Sequence, residues 1–320
     1  MSPGLTPPVP DLRAWRHFVA VAQELHFGRA AARLAMTQPP LTQSIAQLEA
    51  ALGVRLFERT KRRVQLTAEG EALLPDVQDL LTRAQALPER ARAIARGEVG
   101  RVRLAFVSTF GYERLPGWVR AYRTLHPRVT LELIEATGDV QVAGIAQGQI
   151  DAGFVLHVAG FEPEGLQRLP IAREPLWLAL PQSHPLAGSA DAASAPLAPA
   201  AMPALWREPL VIFPRHSLPS VYDAVFGLYH QAGQSPQVEQ EAVQMQTIIN
   251  LVSAGLGVAW VPQSVTQLRR PGVVYRRAPA AQTVWCETSL VWPHAPASAA
   301  VSGFVDFVAA QVGQETMRTA

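Results

Sequence analysis

Two adjacent prolines, Pro39 and Pro40, set the tightest limit on how this chain can fold. Just after them, Leu41, Ile45, Leu48 and Leu52 are apolar at spacings of four, three and four, the stripe of an amphipathic helix. A proline cannot sit inside such a helix without cost, but in the first turn its missing N–H would have had no intrahelical partner. The prolines therefore mark a helix start, with Thr37 ahead of them offering a side-chain oxygen as N-cap. Upstream, Phe27 to Leu34 reads as a shorter helix whose small residues Ala30, Ala31 and Ala32 allow another helix to approach closely. Leu12, Trp15, Phe18, Val19, Ala22 and Leu25 lie largely on one face of a first helix that packs behind this pair.

The second helix of the pair has a polar face made of Gln38, Thr42, Gln43 and Gln47, with Pro39 at its start. Amides and hydroxyls on an apolar-backed helix are the donor and acceptor types that read base edges in a major groove. An ordinary surface helix rich in glutamine would look the same. The next segment decides between them: Arg59, Lys61, Arg62 and Arg63 fall on a short turn between apolar runs, as in a β-hairpin wing that reaches phosphates or the minor groove. From Asp11 to Leu66 nine Lys or Arg stand against four Asp or Glu, a local charge of +5 in a chain whose total is +2, so the remainder carries −3. The positive field is concentrated on the proposed DNA-binding part.

The segment from Asp11 to Thr67 resembles the winged helix-turn-helix of LysR-type transcriptional regulators in the order of Ala30-Ala31, Leu34, Thr37-Gln38-Pro39, Leu41, Ile45, Leu48-Glu49, Leu52-Gly53, Leu56-Phe57-Glu58-Arg59 and Leu66-Thr67. The family often carries Arg where this chain has Gln43, which implies a different base preference. The resemblance implies an α+β multidomain protein. Its parts are an N-terminal winged helix-turn-helix over residues 11–67, a long linker and dimerisation helix over 68–97, and a periplasmic-binding-protein-like effector region of two α/β subdomains. Residues 98–174 with 275–320 form the first subdomain and 175–274 the second.

After the wing, Thr67 can cap a helix running towards Gly97, with Leu73, Val77, Leu80, Ala84, Leu87, Ala91 and Ile94 at alternating spacings of four and three. That heptad seam calls for another helix, most simply its copy in a second subunit. A helix lying on its own domain is the alternative, and Pro75 and Pro88 should kink or interrupt it. Beyond Gly100 the periodicity changes. Strand-like runs at 102–107, 129–134, 150–156 and 176–180 alternate with helical patterns at 112–125 and 140–147, which implies parallel β-α-β units. The Ala- and Pro-rich stretch 186–209 reads as a loop or loosely helical insertion. A second α/β set follows: 210–213, 217–231, 238–241, 245–254 and 258–261, then strands at 273–276 and 284–291 and a closing helix at 301–312.

In open α/β sheets ligands bind beyond the carboxyl ends of strands, where helix N-termini expose N–H groups. Ser108, Thr109 and Phe110 follow the first strand and Thr137-Gly138 the second, while Phe213 and Arg215 follow a strand of the second set. Hydroxyls and amides there can hold a carboxylate, Arg215 can neutralise an anion, and Phe213 can pack on an apolar or aromatic body. Taken singly, Ser108 and Thr137 read equally well as helix caps; their convergence favours a ligand. The family's usual hydroxyl falls at the position of Gly138, one residue after Thr137.

Enzyme chemistry finds no support. The eight histidines are scattered, no His-Glu-x-x-His, Gly-x-Ser-x-Gly or phosphate-loop motif is present, and no metal or cofactor site is expected. Cys286, the single cysteine, reads as a small core residue and fits a reducing compartment. No run is long and apolar enough to span a bilayer, and the Pro-rich, uncharged Met1 to Pro10 does not resemble a signal peptide. The expectation is therefore a cytoplasmic regulator without a membrane partner. It binds double-stranded DNA and a small organic, anionic or aromatic, effector, pairs through the linker helix, assembles as a homotetramer, and contacts RNA polymerase. A solute receptor with an accessory helical domain would share the two α/β halves, but not the basic wing.

Overall fold

The computed structural model describes residues 9–60, 63–188 and 195–319. Lys61, Arg62 and the centre of the 186–209 insertion lie outside them. The chain divides into two compact units, Met1–Arg92 and Ala93–Ala320.

The first unit begins with α1 (Leu12–Glu24), capped by Asp11, whose carboxylate accepts from the amide of Ala14 at 2.7 Å. Trp15, Phe18, Val21 and Ala22 form its buried face, whereas Leu12 and Leu25 are exposed at its ends. Helix α2 (Phe27–Arg33) starts at His26, whose Nδ1 accepts from the Arg29 amide at 3.2 Å. The link to α3 (Gln38–Leu52) turns through Ala35 at φ 52°, a left-handed value that a non-glycine residue rarely takes. Thr37 is the residue at the α3 N-cap, but its hydroxyl makes no capping hydrogen bond, so Pro39 and Pro40 define the start by lacking N–H groups. Leu41, Ile45 and Leu48 are buried against α1 and α2. At roughly 1.5–3 kcal/mol for each such side chain, they fix which face of α3 is left outward.

Strands β1 (Phe57–Arg59) and β2 (Val64–Leu66) pair antiparallel as the wing. Thr67 caps α4 (Ala68–Ala95): its hydroxyl accepts from the Gly70 amide at 3.0 Å and donates to the Arg55 carbonyl at 2.7 Å. The helix is continuous across Pro75 and Pro88, so of the expected kink or interruption the prolines do not produce an interruption. Its seam is divided. Val77 and Leu81 are buried in the core of the first unit with Leu73 and Leu74 packed beside them, while Leu80, Leu87 and Ile94 are 44%, 60% and 51% exposed.

The second unit holds β3 (Gly100–Phe106), the short α5 (Ser108–Gly111), α6 (Leu115–Leu125), β4 (Val129–Glu135), α7 (Gly138–Ala146) and β5 (Ala152–Val158), with β3 parallel to both β4 and β5. Next comes β6 (Leu166–Pro181), a 16-residue strand of which sequence periodicity shows only the last third. Helix α8 (Met202–Leu205), β7 (Leu210–Ile212), α9 (Pro219–Gln231), β8 (Val238–Glu241), α10 (Met245–Ser253), β9 (Ala259–Pro262), β10 (Val273–Arg277), β11 (Trp285–Pro293) and α11 (Ala299–Thr319) complete it. The described ends of the insertion are packed rather than loose, with Leu197, Met202, Leu205 and Trp206 in the second core.

Strand β6 belongs to two sheets. Leu166–Pro175 pairs with β11, which in turn pairs with β5; Leu176–Pro181 pairs with β9 and β10. Because β10 runs beside Trp177–Pro181, the return to the first sheet falls between Arg277 and Trp285 and not at residue 275. Two cores flank this crossover. One gathers Phe110, Trp118, Tyr122, Phe154 and Phe304; the other gathers Trp206, Phe213, Tyr229 and Trp260. At the crossover the Glu174 carboxylate accepts from the Ser264 amide at 2.6 Å and its hydroxyl at 3.1 Å, and burial holds that carboxyl above its ordinary range.

Candidate nucleic-acid interface and effector cleft

Helix α3 presents Gln38, Pro39, Gln43 and Gln47 to solvent, with Thr42 half-buried among them. The Thr42 hydroxyl donates back to the Gln38 carbonyl at 3.1 Å, so towards a base edge it has only lone pairs to offer. Beneath this face Ser44 meets Nδ1 of the buried His17 at 2.8 Å, which ties α3 to α1. Burial, helped by the nearby Arg13, lowers the His17 pKa.

The wing arginines separate by role. Arg63 is exposed near the hairpin tip, where a phosphate can reach it. Arg59 is engaged within the protein: its guanidinium lies 4.6 Å from the Phe27 ring centre and donates to Glu49 at 3.1 Å. The other Glu49 oxygen accepts from the amides of Leu56 at 2.9 Å and Phe57 at 3.1 Å. Glu49 of α3 therefore clamps the first wing strand, and Arg59, whose side chain keeps 33% exposure, completes the clamp. Arg62 lies outside the described residues.

In the second unit a cleft opens between the two sheets. Val107, Ser108, Thr109, Glu135, Ala136, Thr137, Gly138 and Leu156 line one side; Phe213, Ser217, Leu218, Val243, Gln244 and Met245 line the other. Five of the expected residues, Ser108, Thr109, Thr137, Gly138 and Phe213, thus meet at one place. Two do not. Phe110 is buried, stacked on Phe154 at 3.9 Å between ring centres and edge-on to Trp118, and serves the core. Arg215 points away into a bidentate pair with Asp223 at 2.7 and 2.8 Å. Glu135 is the one ionisable side chain among the described lining residues.

Thr109 is 3% exposed and its hydroxyl has no hydrogen-bond partner. A buried hydroxyl without a partner costs roughly 1–3 kcal/mol, and in a cleft wall that cost is recovered when a ligand supplies the partner. Thr137 stands at the N-cap of α7 without making a side-chain cap bond, so its hydroxyl is also uncommitted to the helix. Sequence reasoning missed Glu135, Ser217 and Gln244. The rule that found Ser108 applies to Glu135, which ends β4, and to Gln244, at the N-cap position of α10, but not to Ser217, which lies between β7 and α9 at neither end.

Other candidate chemistry is absent from the described residues. Cys286 is fully buried, its thiol pushed well above the ordinary range by burial, and it donates to the Glu174 carbonyl at 3.3 Å. Among the described residues no group of three or more His, Cys, Asp or Glu side chains could hold a metal, and no helix is long and apolar enough to cross a membrane.

Comparison with known proteins places both units. Residues 12–71 match the bacterial regulatory helix-turn-helix protein model of the lysR family, and residues 95–313 match the LysR substrate binding domain. The HTH-type transcriptional regulator IlvR of Caulobacter vibrioides is 44% identical over 93% of this chain and 97% of its own length. AlsR of Bacillus subtilis is 40% identical over 83% and 85%. Among solved structures, full-length CbnR complexed with its target DNA superposes with a TM-score of 0.73 at 32% identity, covering 94% of this chain and 99% of that one.

Proposed function

This chain belongs to the LysR family of DNA-binding transcription regulators and is not an enzyme, and from that premise we propose how its residues divide the work. Gln38, Pro39, Thr42, Gln43 and Gln47 read base edges from the exposed face of α3, and Arg63 holds a phosphate or enters the minor groove from the wing. The exposed half of α4, with Leu80, Leu87 and Ile94, pairs with the same helix of a second subunit. Two such pairs form a tetramer that works in the cytoplasm and contacts RNA polymerase. Residues 11–67, 68–97 and the two halves of the second unit then act as reader, coupler and sensor.

The sensor binds a small organic acid in the cleft lined by Ser108, Thr109, Thr137, Gly138 and Phe213. The unpartnered Thr109 hydroxyl is the observation that carries this reading. With Arg215 paired to Asp223 and Glu135 in the lining, hydroxyls and backbone amides must neutralise the acid. A single carboxylate on an apolar body fits such a lining; a polyanion does not. The ligand controls transcription only to the extent that it binds one arrangement of the two halves better than the other.

A thermal-shift screen of the full-length protein against organic monoacids tests the assignment, because a ligand specific to the native state raises the melting temperature through RT ln(1 + [L]/Kd). The expected result is a hit that Thr109→Val abolishes while operator binding persists. A hit indifferent to Thr109→Val places the sensor site elsewhere.

A further inference from the structure

The cleft of the second unit carries a charge that a plain organic acid leaves unused. Glu135 supplies it, and no arginine, lysine or histidine joins the described lining. Glu135 is exposed and forms no ion pair among the described residues, whereas Arg215, the cation expected there, is held by Asp223. A carboxylate in a binding cleft repels an anionic ligand unless that ligand brings a positive charge of its own.

The backbone around Glu135 is fixed on both sides. Glu135 ends β4, and the ladder runs one residue further, the Ala136 amide donating to the Phe106 carbonyl at 3.1 Å. Gln141, fully buried on α7, holds the same residue from the other side: its Nε2–H groups donate to the Ala136 carbonyl at 2.8 Å and the Phe154 carbonyl at 3.1 Å. Thr137 continues extended at φ −69° and ψ 159°. Residues two apart on an extended chain point to the same side, with roughly 6.6 Å between their Cα atoms at about 3.3 Å of rise per residue. The Glu135 carboxylate and the Thr137 hydroxyl therefore face one way. Beyond Thr137 the first-turn amides of α7 have no intrahelical acceptor. Burial holds the Tyr112 phenol above its ordinary range, the Ser108 hydroxyl bonds to it, and Glu135 pushes it further up, which puts the Glu135 charge within reach of the Ser108 side of the wall.

An acceptor for a cation and donors for an anion thus stand side by side on one wall. The opposite wall is apolar, with Phe213 and Met245 at 2% and 5% exposure and Leu218 beside them. We infer that this cleft takes an α-amino acid with an apolar side chain, its ammonium on Glu135, its carboxylate on Thr137 and the α7 amides, and its side chain against Phe213 and Met245. The inference rests on the cleft being the effector site and narrows the ligand from an organic monoacid to a zwitterion. In an α-amino acid the two charges sit next to each other, so they reach two residues spaced along one strand end and leave the side chain to project across the cleft. A monoacid without the ammonium would desolvate Glu135 and give it no partner.

Calorimetric titration of the full-length protein with L-valine, L-leucine, L-methionine and L-phenylalanine, each beside the acid of the same skeleton without its ammonium, tests the inference. At least one amino acid should bind about tenfold or more tighter than its deaminated counterpart, the difference made by one charge-assisted hydrogen bond. Glu135→Gln should erase that preference and bind the deaminated acid no more weakly, since a repelling charge has gone. Glu135 is exposed, and an unchanged melting temperature of the ligand-free variant verifies that it folds. Deaminated acids that bind as tightly as the amino acids overturn the inference while the cleft reading stands. So does a preference for amino acids that Glu135→Gln leaves intact, because the ammonium is then held elsewhere. Absence of binding by both series overturns it too, and the cleft reading is then judged separately by Thr109→Val in the wider monoacid screen.

Discussion

Replacing Glu49 by alanine tests whether the wing is held by the recognition helix. The carboxylate is 14% exposed and serves three donors, the amides of Leu56 and Phe57 and the guanidinium of Arg59. Leu56 and Phe57 are 0% and 2% exposed, so their N–H groups would find little water once the carboxylate is gone. Each orphaned buried amide costs roughly 1–3 kcal/mol. The ion pair adds at most about 1 kcal/mol, because the Arg59 side chain is 33% exposed and solvent screens it. A loss of about 3 kcal/mol follows, large beside the roughly 5–15 kcal/mol that holds a typical domain. Glu49→Gln keeps a carbonyl oxygen for the amides and should lose only about 1 kcal/mol. The chain has two units, so a single melting temperature is a poor measure. Amide hydrogen exchange at Leu56 and Phe57 reports the clamp directly, and 3 kcal/mol corresponds to exchange more than about 100-fold faster. If exchange at both amides is unchanged in Glu49→Ala, the clamp does not hold the wing and the reasoning fails.

The two described wing arginines should respond differently. Arg63→Ala is expected to weaken binding across all DNA sequences and reduce the slope of log K against log salt by about 1, whereas Arg59→Ala should leave that slope unchanged in a shift assay over a salt series. His157 is 1% exposed, held between Ser289 and the Val158 carbonyl, and burial lowers its pKa. The unfolded chain then binds the proton first, so stability is fully present above the ordinary value of about 6.5 and falls as pH drops through the folded value. Urea titrations between about pH 7 and pH 5 should show that loss, and His157→Gln should flatten it. Gly257 sits at φ +153°, and a Cβ there would stand 2.2 Å from the Pro209 carbonyl oxygen, whose bond from the Val258 amide fixes the backbone. Gly257→Ala should cost at least about 2 kcal/mol in urea unfolding, while Gly227→Ala, at an open position inside α9, should be neutral or stabilising.

What could be read from the sequence was whatever depends on neighbours in the chain. Helix α3 follows from apolar spacing plus two prolines, and the α/β alternation follows from a change of period. What could not be read depends on partners far along the chain. Arg59 looks like its neighbour Arg63 until Glu49 is known to lie across from it. Arg215 looks like an anion receptor until α9 brings Asp223 beside it. The first part of β6, Leu166-Gln167-Arg168-Leu169-Pro170, is broken by polar residues and a proline and becomes a strand because β11 pairs with it through a register shift near Thr288. Phe110 stands at a strand end, where ligands bind, yet Phe154 and Trp118 claim its ring. The cleft was legible as a place, from Ser108 and Thr137, but its charge was not.

The position of β11 bears on how the chain is made. It lies between β5 and β6 in the middle of the sheet, yet it is the last strand to be synthesised. At about 5–20 residues per second a ribosome delivers it many seconds after β5, and β6 has been waiting for most of that interval. Until then each of these strands has an unpaired edge, open to other nascent chains. The half of the sensor bounded by β3 and α11 is thus finished only when the C-terminus emerges, while the winged unit can already fold. A nascent regulator can present its DNA-reading surface before it can sense anything.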